Sequence, residues 1–159
     1  MNKNIFFVSE FSPLINDRNY SIIIPSISDE YDLHKYYNEQ AKFPYFGYNW
    51  DSLSELMEDF FWILQPNIHI YHESIALLKD DDLVLYLKIV SEVSEWWDKY
   101  LEFKLSRLYE WIKQDSNLQL SDIYEWWKAN PGHNLSFYFN EKDQKRIEGV
   151  LHRMFAINN

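Results

Sequence analysis

The chain has 159 residues, 47% of them apolar and none of them cysteine, which suits one domain with a sizeable core and excludes a disulfide framework or a thiolate metal site. Its 7 Trp, 12 Tyr and 11 Phe exclude a disordered tail. The net charge of −10 is uneven, with eight acids and one base in residues 43–82, a field that repels nucleic acid and anionic membrane and serves either solubility or a basic partner.

Ile5 to Val8 and Tyr20 to Ile24 read as strands, with Asn16 to Asn19 as the turn of a hairpin between them. The second run is almost wholly apolar and β-branched, as in a strand buried on both faces. Pro25 ends it. Ser28 suits an N-cap, followed by acids in the first turn. Leu33, Tyr37 and Ala41 then share a face of a helix over 28–41, which Pro44 stops. Gly47 sits in a tight loop that calls for positive φ. A second helix runs from Asn49 or Trp50 to Leu64, and Pro66 closes it. Asn67 to Tyr71 is a further strand. Asp80, Asp81 and Asp82 open a long amphipathic helix over 83–113, striped by Leu87, Val90, Ser94, Trp97, Leu101, Leu105, Leu108 and Ile112.

Ser116 and Asn117 break that helix. A shorter one follows over 121–129, capped by Ser121 and ended by Asn130, Pro131 and Gly132. Trp residues recur along this region, at 96, 97, 111, 126 and 127, and read as helix-packing anchors. Leu135 to Phe139 is the last strand, and 142–156 a final helix. Strands separated by helices predict an α/β fold with a parallel sheet. The expected organisation is one domain over 1–159: an N-terminal extension over 1–19, a core carrying an inserted helical region over 83–129, and the C-terminal helix.

The segment from Phe43 to Trp62 carries the chemistry. At ~100° per residue, Leu53, Met57, Phe60 and Leu64 cluster on one helical face, flanked by Leu56 and Phe61. Asp51, Glu55 and Glu58 fall opposite, with Asp59 at the edge. Acids on a helix surface are usually balanced by Lys or Arg four residues away. Here Asp51/Glu55 and Glu55/Asp59 are like-charged at that spacing, and no Lys or Arg occurs from 43 to 78. Each such pair costs a few tenths of a kcal/mol, by rough estimate. A helix that tolerates self-repulsion is suited to a basic partner.

The run Tyr45-Phe46-Gly47-Tyr48-Asn49-Trp50-Asp51-Ser52-Leu53 resembles the [YF]-[YF]-G-x-N-[LW]-D-[AS]-L signature of the barstar family. Ser26 to Asp29 and Leu33-His34 are similar to that family's first strand–helix junction. The resemblance implies a three-stranded parallel sheet packed on helices. It also implies inhibition of a barnase-type ribonuclease, whose basic cleft receives the acidic helix and the loop before it. By this likeness Tyr45 packs at the interface, Gly47 and Asn49 make the turn and cap, and Asp51 and Glu55 are acidic contacts. Tyr48, Ser54, Glu58 and Asp59 extend the same surface. Glu125 stands nearest to the family's late-helix acid. Departures are one residue fewer between Pro44 and Tyr45, Ser54 where a large aromatic is common, Glu55 in place of Asp, and the inserted helices.

Other chemistry is thinly supported. His69 and His72 are three apart on a strand, so they point to opposite faces and share no metal. No phosphate loop, zinc spacing or nucleophile triad occurs. Paired acids on a convex helix do not flank a cleft as glycosidase carboxylates do. No enzyme, metal or cofactor is expected. The N-terminal apolar run is too short for a signal peptide, and no stretch approaches the ~18 apolar residues of a membrane span, so a soluble cytoplasmic protein is expected. Two functions stay open. One is an immunity protein, a monomer that binds a ribonuclease or toxin nuclease domain 1:1. The other is a non-enzymatic acidic adaptor for another basic protein.

Overall fold

The computed structural model describes residues 3–13, 16–115, 117–129 and 131–156. Four strands and five α-helices follow one another along them: β1 (Ile5–Val8), β2 (Asn19–Ile24), α1 (Glu30–Ala41), α2 (Trp50–Glu58), β3 (Asn67–His72), α3 (Asp80–Gln114), α4 (Leu120–Ala129), β4 (Asn134–Asn140) and α5 (Gln144–Ala156). Ser116 and Asn130, named in the two expected helix breaks, fall outside the described residues; α3 ends at Gln114, α4 begins at Leu120, and α4 ends at Ala129.

The sheet has four strands rather than three, in the order β1-β4-β3-β2, and every pairing is parallel. The expected β1–β2 hairpin does not form. β1 pairs with β4 instead, at the edge opposite β2, with Ile5 beside Phe137. A parallel partner requires the intervening chain to cross the sheet, and Phe11 in that crossing packs edge-on against Tyr71. Ile22, Ile70, Phe137 and Ile5 lie in register across the sheet and are all buried. The alternate residues Tyr71, Tyr138 and Phe6 stack as a ladder on the other face. β2, expected to be buried on both sides, is an edge strand whose Ile22 and Ile24 alone are fully covered.

The helices differ from the sequence reading mostly at their ends. α1 is capped by Asp29 rather than Ser28: the Asp29 side chain accepts from the Asp32 amide, and Asp32 in return accepts from the Ser28 amide. This is close to a capping box, except that Asp32 reaches back to the amide before the cap rather than to the cap's own. α2 stops at Glu58, short of Leu64, and a single 3-10 turn over Phe60–Trp62 follows. The Trp97 indole N–H donates to the Met57 carbonyl, so that carbonyl is satisfied without a further α-helical turn. Leu64, expected in the core, is 69% exposed.

α3 runs for 35 residues, but only its first half meets the core. Leu83, Tyr86, Leu87, Val90, Val93 and Trp97 are buried, whereas Leu105 and Ile112 of the expected stripe are exposed. The distal half instead pairs with α4. There Lys104, 2% exposed, lies 3.6 Å from the Trp127 ring centroid and 5.4 Å from that of Trp126. Burial pushes the Lys104 ammonium down to about 8. α4 has no fully buried residue.

A buried polar chain ties the layers together. His72 on β3 meets the Tyr138 carbonyl through Nδ1 and the Tyr86 hydroxyl through Nε2. Tyr86 also meets the Tyr37 hydroxyl at 2.6 Å. A carbonyl only accepts, so Nδ1 carries the proton; neutral Nε2 then accepts from Tyr86, which accepts from Tyr37. Burial drives the His72 imidazole down to about 4. His72 is thus a core group, and among the described residues no three His, Asp or Glu converge as for a metal ion.

Candidate functional site

The start of α2 is built from a short set of polar contacts. The Asn49 side-chain oxygen caps the helix by accepting from the Ser52 amide at 2.8 Å. Its amide nitrogen donates to the Gly47 carbonyl at 3.0 Å, and the Gly47 amide donates to the Ser52 hydroxyl at 3.0 Å. Gly47 does not have positive φ, contrary to expectation; Tyr48 does, at 49°. Crowding, rather than backbone conformation, favours glycine at 47. A Cβ there would stand 2.9 Å from Asn49 Nδ2 and 3.3 Å from Ser52 Cβ.

Aromatic packing fixes the loop from beneath. Phe46 contacts Phe43, Tyr48 and His34, and Trp50 sits edge-on to His34. The Tyr48 ring stacks on Tyr31 of α1, with centroids 5.5 Å apart, and its hydroxyl accepts from Asn38. Tyr45 is left 56% exposed at the tip. The loop therefore presents Tyr45 at its tip and the partly stacked, still exposed Tyr48 beside it, on a well-packed base.

α2 divides as its periodicity predicts. Leu53, Leu56 and Met57 are buried, and Asp51 and Glu55 are exposed. Ser54, Glu58 and Asp59 are partly covered. Glu58 lies where α2 meets α3, and partial burial first, then Glu92 of α3 and Glu55, hold its carboxyl above the ordinary range. The ion pairs among the described residues join Lys3 to Asp98, Lys88 to Glu92, Lys99 to Glu95, and Arg146 to Asp80. None of them neutralises Asp51, Glu55, Glu58 or Asp59.

The structure thus gathers Tyr45, Gly47, Tyr48, Asn49, Asp51, Ser54 and Glu55 on one loop and the helix it starts, with Glu58 and Asp59 at that helix's end. Glu125 stands apart. It is exposed on α4, whose Trp126 packs against Trp111 of distal α3. Two contributors were not legible in the sequence. Tyr31 supports Tyr48 from another helix, and Glu92 extends the acidic face onto α3. Both depend on how helices pack, and neither carries a local signal.

Asp51 and Glu55 stand exposed on the outer face of α2, one turn apart, with Tyr45 exposed in the loop before them. This surface offers carboxylates that accept from Arg or Lys, beside an aromatic ring able to fill a hollow in a partner. A family model described as Barstar (barnase inhibitor) matches residues 18–107, more than half of the chain. The match runs from the start of β2 into α3, and it includes the whole loop and α2 but not Glu125. No curated protein and no solved structure matches the chain.

Proposed function

The chain belongs to the barstar family, and we propose that it is an immunity protein that inhibits a basic ribonuclease by covering the active site. Tyr45, Tyr48 and the α2 face carrying Asp51, Ser54 and Glu55 form the contact. Glu58 and Asp59 form its margin, while Gly47 and Asn49 hold its shape. The observation that carries this reading is the row of unneutralised carboxylates on α2, on a helix whose opposite face is core. A nuclease cleft that binds RNA phosphate holds Arg and Lys donors, and a carboxylate accepts from them in the same bidentate way. Ser54 leaves room for a larger side chain of the nuclease at the centre of the surface. The protein acts by binding in the cytoplasm, 1:1 with its nuclease, and catalyses nothing itself.

Charge steering makes association depend on salt. The Debye length falls from ~30 Å at 0.01 M to ~10 Å at 0.1 M salt. Stopped-flow mixing with a basic microbial ribonuclease should give an association rate that falls steeply over that range. A rate that stays flat counts against the acidic face as the docking surface. Equally tight binding to basic proteins that are not nucleases would instead make the chain a general acidic adaptor.

A further inference from the structure

The distal half of α3 and the whole of α4 make a helical hairpin beyond the sheet. Lys104 and Trp111 mark the side of α3 that meets α4, and Trp126 and Trp127 mark the side of α4 that meets α3. At ~100° per residue, Leu105, Tyr109 and Ile112 lie roughly 120° round α3 from that contact. Leu120 and Tyr124 lie roughly 90° round α4 in the same rotational sense. α4 turns back along α3 after five residues, so its axis runs the other way, and the two stripes fall on one face of the hairpin.

These five side chains are 48–85% exposed. Single apolar residues on a surface are ordinary, but a contiguous set on two adjacent helices marks a contact. α4 is ten residues long and has no buried residue, and a helix that short draws its stability from packing.

Three observations say what covers the face. Residues 98–129 carry five bases and six acids, a net −1 of the chain's −10. A strongly basic protein is not steered there, whereas a second acidic copy meets little repulsion. The α3 stripe is also self-complementary in charge. Glu102 lies on its flank near the start, and Lys113 lies on the same flank near the end, 4.3 Å from the Tyr109 ring centroid. Neither forms an ion pair among the described residues. Turned end for end, Glu102 of one copy faces Lys113 of another, and Leu105 faces Ile112. Finally, at ~200 Å² per side chain the exposed parts amount to ~600 Å² per copy and ~1,200 Å² between two copies, the size at which specific interfaces begin.

We propose that this face pairs two copies of the chain about a two-fold axis, with the two α3 helices antiparallel, the two α4 helices antiparallel, and all four forming a bundle. The monomer expected from the sequence is then one half of a pair. None of the α2 contact residues lies on this face, so each copy still takes one nuclease, and the pairing does not rest on the inhibitor reading.

The test uses the full chain without nuclease. Sedimentation equilibrium across the micromolar range should give the mass of two chains. Glu102→Lys and Lys113→Glu should each weaken pairing about tenfold or more, because like charges then meet twice in every pair. The double variant Glu102→Lys, Lys113→Glu should restore it, a rescue that damage to the fold does not produce. Leu105→Glu with Tyr109→Glu should leave single chains that keep the parent's circular dichroism, and Asp51→Asn with Glu55→Gln should leave pairing unchanged. A single-chain mass for the parent would overturn the proposal. So would a double charge variant that pairs no better than the single ones, or pairing that survives Leu105→Glu with Tyr109→Glu. Adding a basic ribonuclease should keep two chains together; a complex with only one chain would give this face to the nuclease and overturn the proposal as well. A failure to inhibit the nuclease leaves the pairing result standing.

Discussion

Replacing Trp97 with Phe tests whether α3 holds the acidic helix in place. Trp97 is 1% exposed and lies between the end of α2 and the start of β4. Its indole N–H donates to the Met57 carbonyl at 2.9 Å, and its ring sits edge-on to Phe61 and to His133. Phe keeps an aromatic ring but removes the donor and the five-membered part of the indole. The buried Met57 carbonyl then loses a partner, at a cost of ~1–3 kcal/mol. The lost apolar contact adds roughly 2 kcal/mol, at ~0.8 kcal/mol per buried methylene. Trp97→Phe should therefore lower stability by about 3–5 kcal/mol in urea denaturation followed by far-ultraviolet circular dichroism. Tyr109→Phe, on the exposed distal part of α3, should change it by less than ~0.5 kcal/mol. A loss below ~1 kcal/mol for Trp97→Phe would mean that α2 keeps its position without this bond.

Acid should weaken the fold through His72. Its folded-state value near 4 lies below the ordinary 6.5, so between those pH values the unfolded chain takes up the proton and the folded chain does not. The stabilising contribution is complete above pH 6.5 and is lost as pH falls toward 4, amounting to about 3 kcal/mol. Urea midpoints measured across this window should fall with pH, and His72→Gln should flatten the slope; an equal slope in the variant would assign it to other groups. Gly47→Ala should cost about 1–2 kcal/mol, because the new Cβ meets the Asn49 and Ser52 groups that make the cap. Hydrogen exchange at the Ser52 amide should speed up in that variant, and unchanged exchange would show that the cap tolerates the methyl group.

The shape of the candidate site was legible in the sequence because the determinants of the loop and α2 are local. Asn49 and Ser52 spell the helix start, and Leu53, Leu56 and Met57 mark the buried face against Asp51 and Glu55 within three turns. What was not legible depends on distant partners. β1 has a strand's composition, but nothing in Ile5 to Val8 says that it pairs with β4 rather than β2. The α2 terminus is set by Trp97, forty residues later. The apolar stripe of α3 continues to Ile112, and periodicity alone does not reveal that the sheet ends before it does. Gly47 was correctly placed in a tight loop for the wrong reason: the positive φ falls on Tyr48, and Gly47 is there for room.

The central claim is that the α2 face inhibits a nuclease without being needed for the fold. A titration of ribonuclease activity with the parent protein and with the Asp51→Asn, Glu55→Gln variant, using a basic barnase-type enzyme, tests it most directly. Neither side chain has an intramolecular ion pair among the described residues, so the variant should melt within a few degrees of the parent. In the complex, each lost carboxylate would leave a buried cation of the nuclease unpaired, at about 3–5 kcal/mol. Inhibition should weaken by roughly a hundredfold to a few thousandfold for each carboxylate. A variant that inhibits as well as the parent, at the same melting temperature, would show that the acidic face of α2 is not the inhibitory surface.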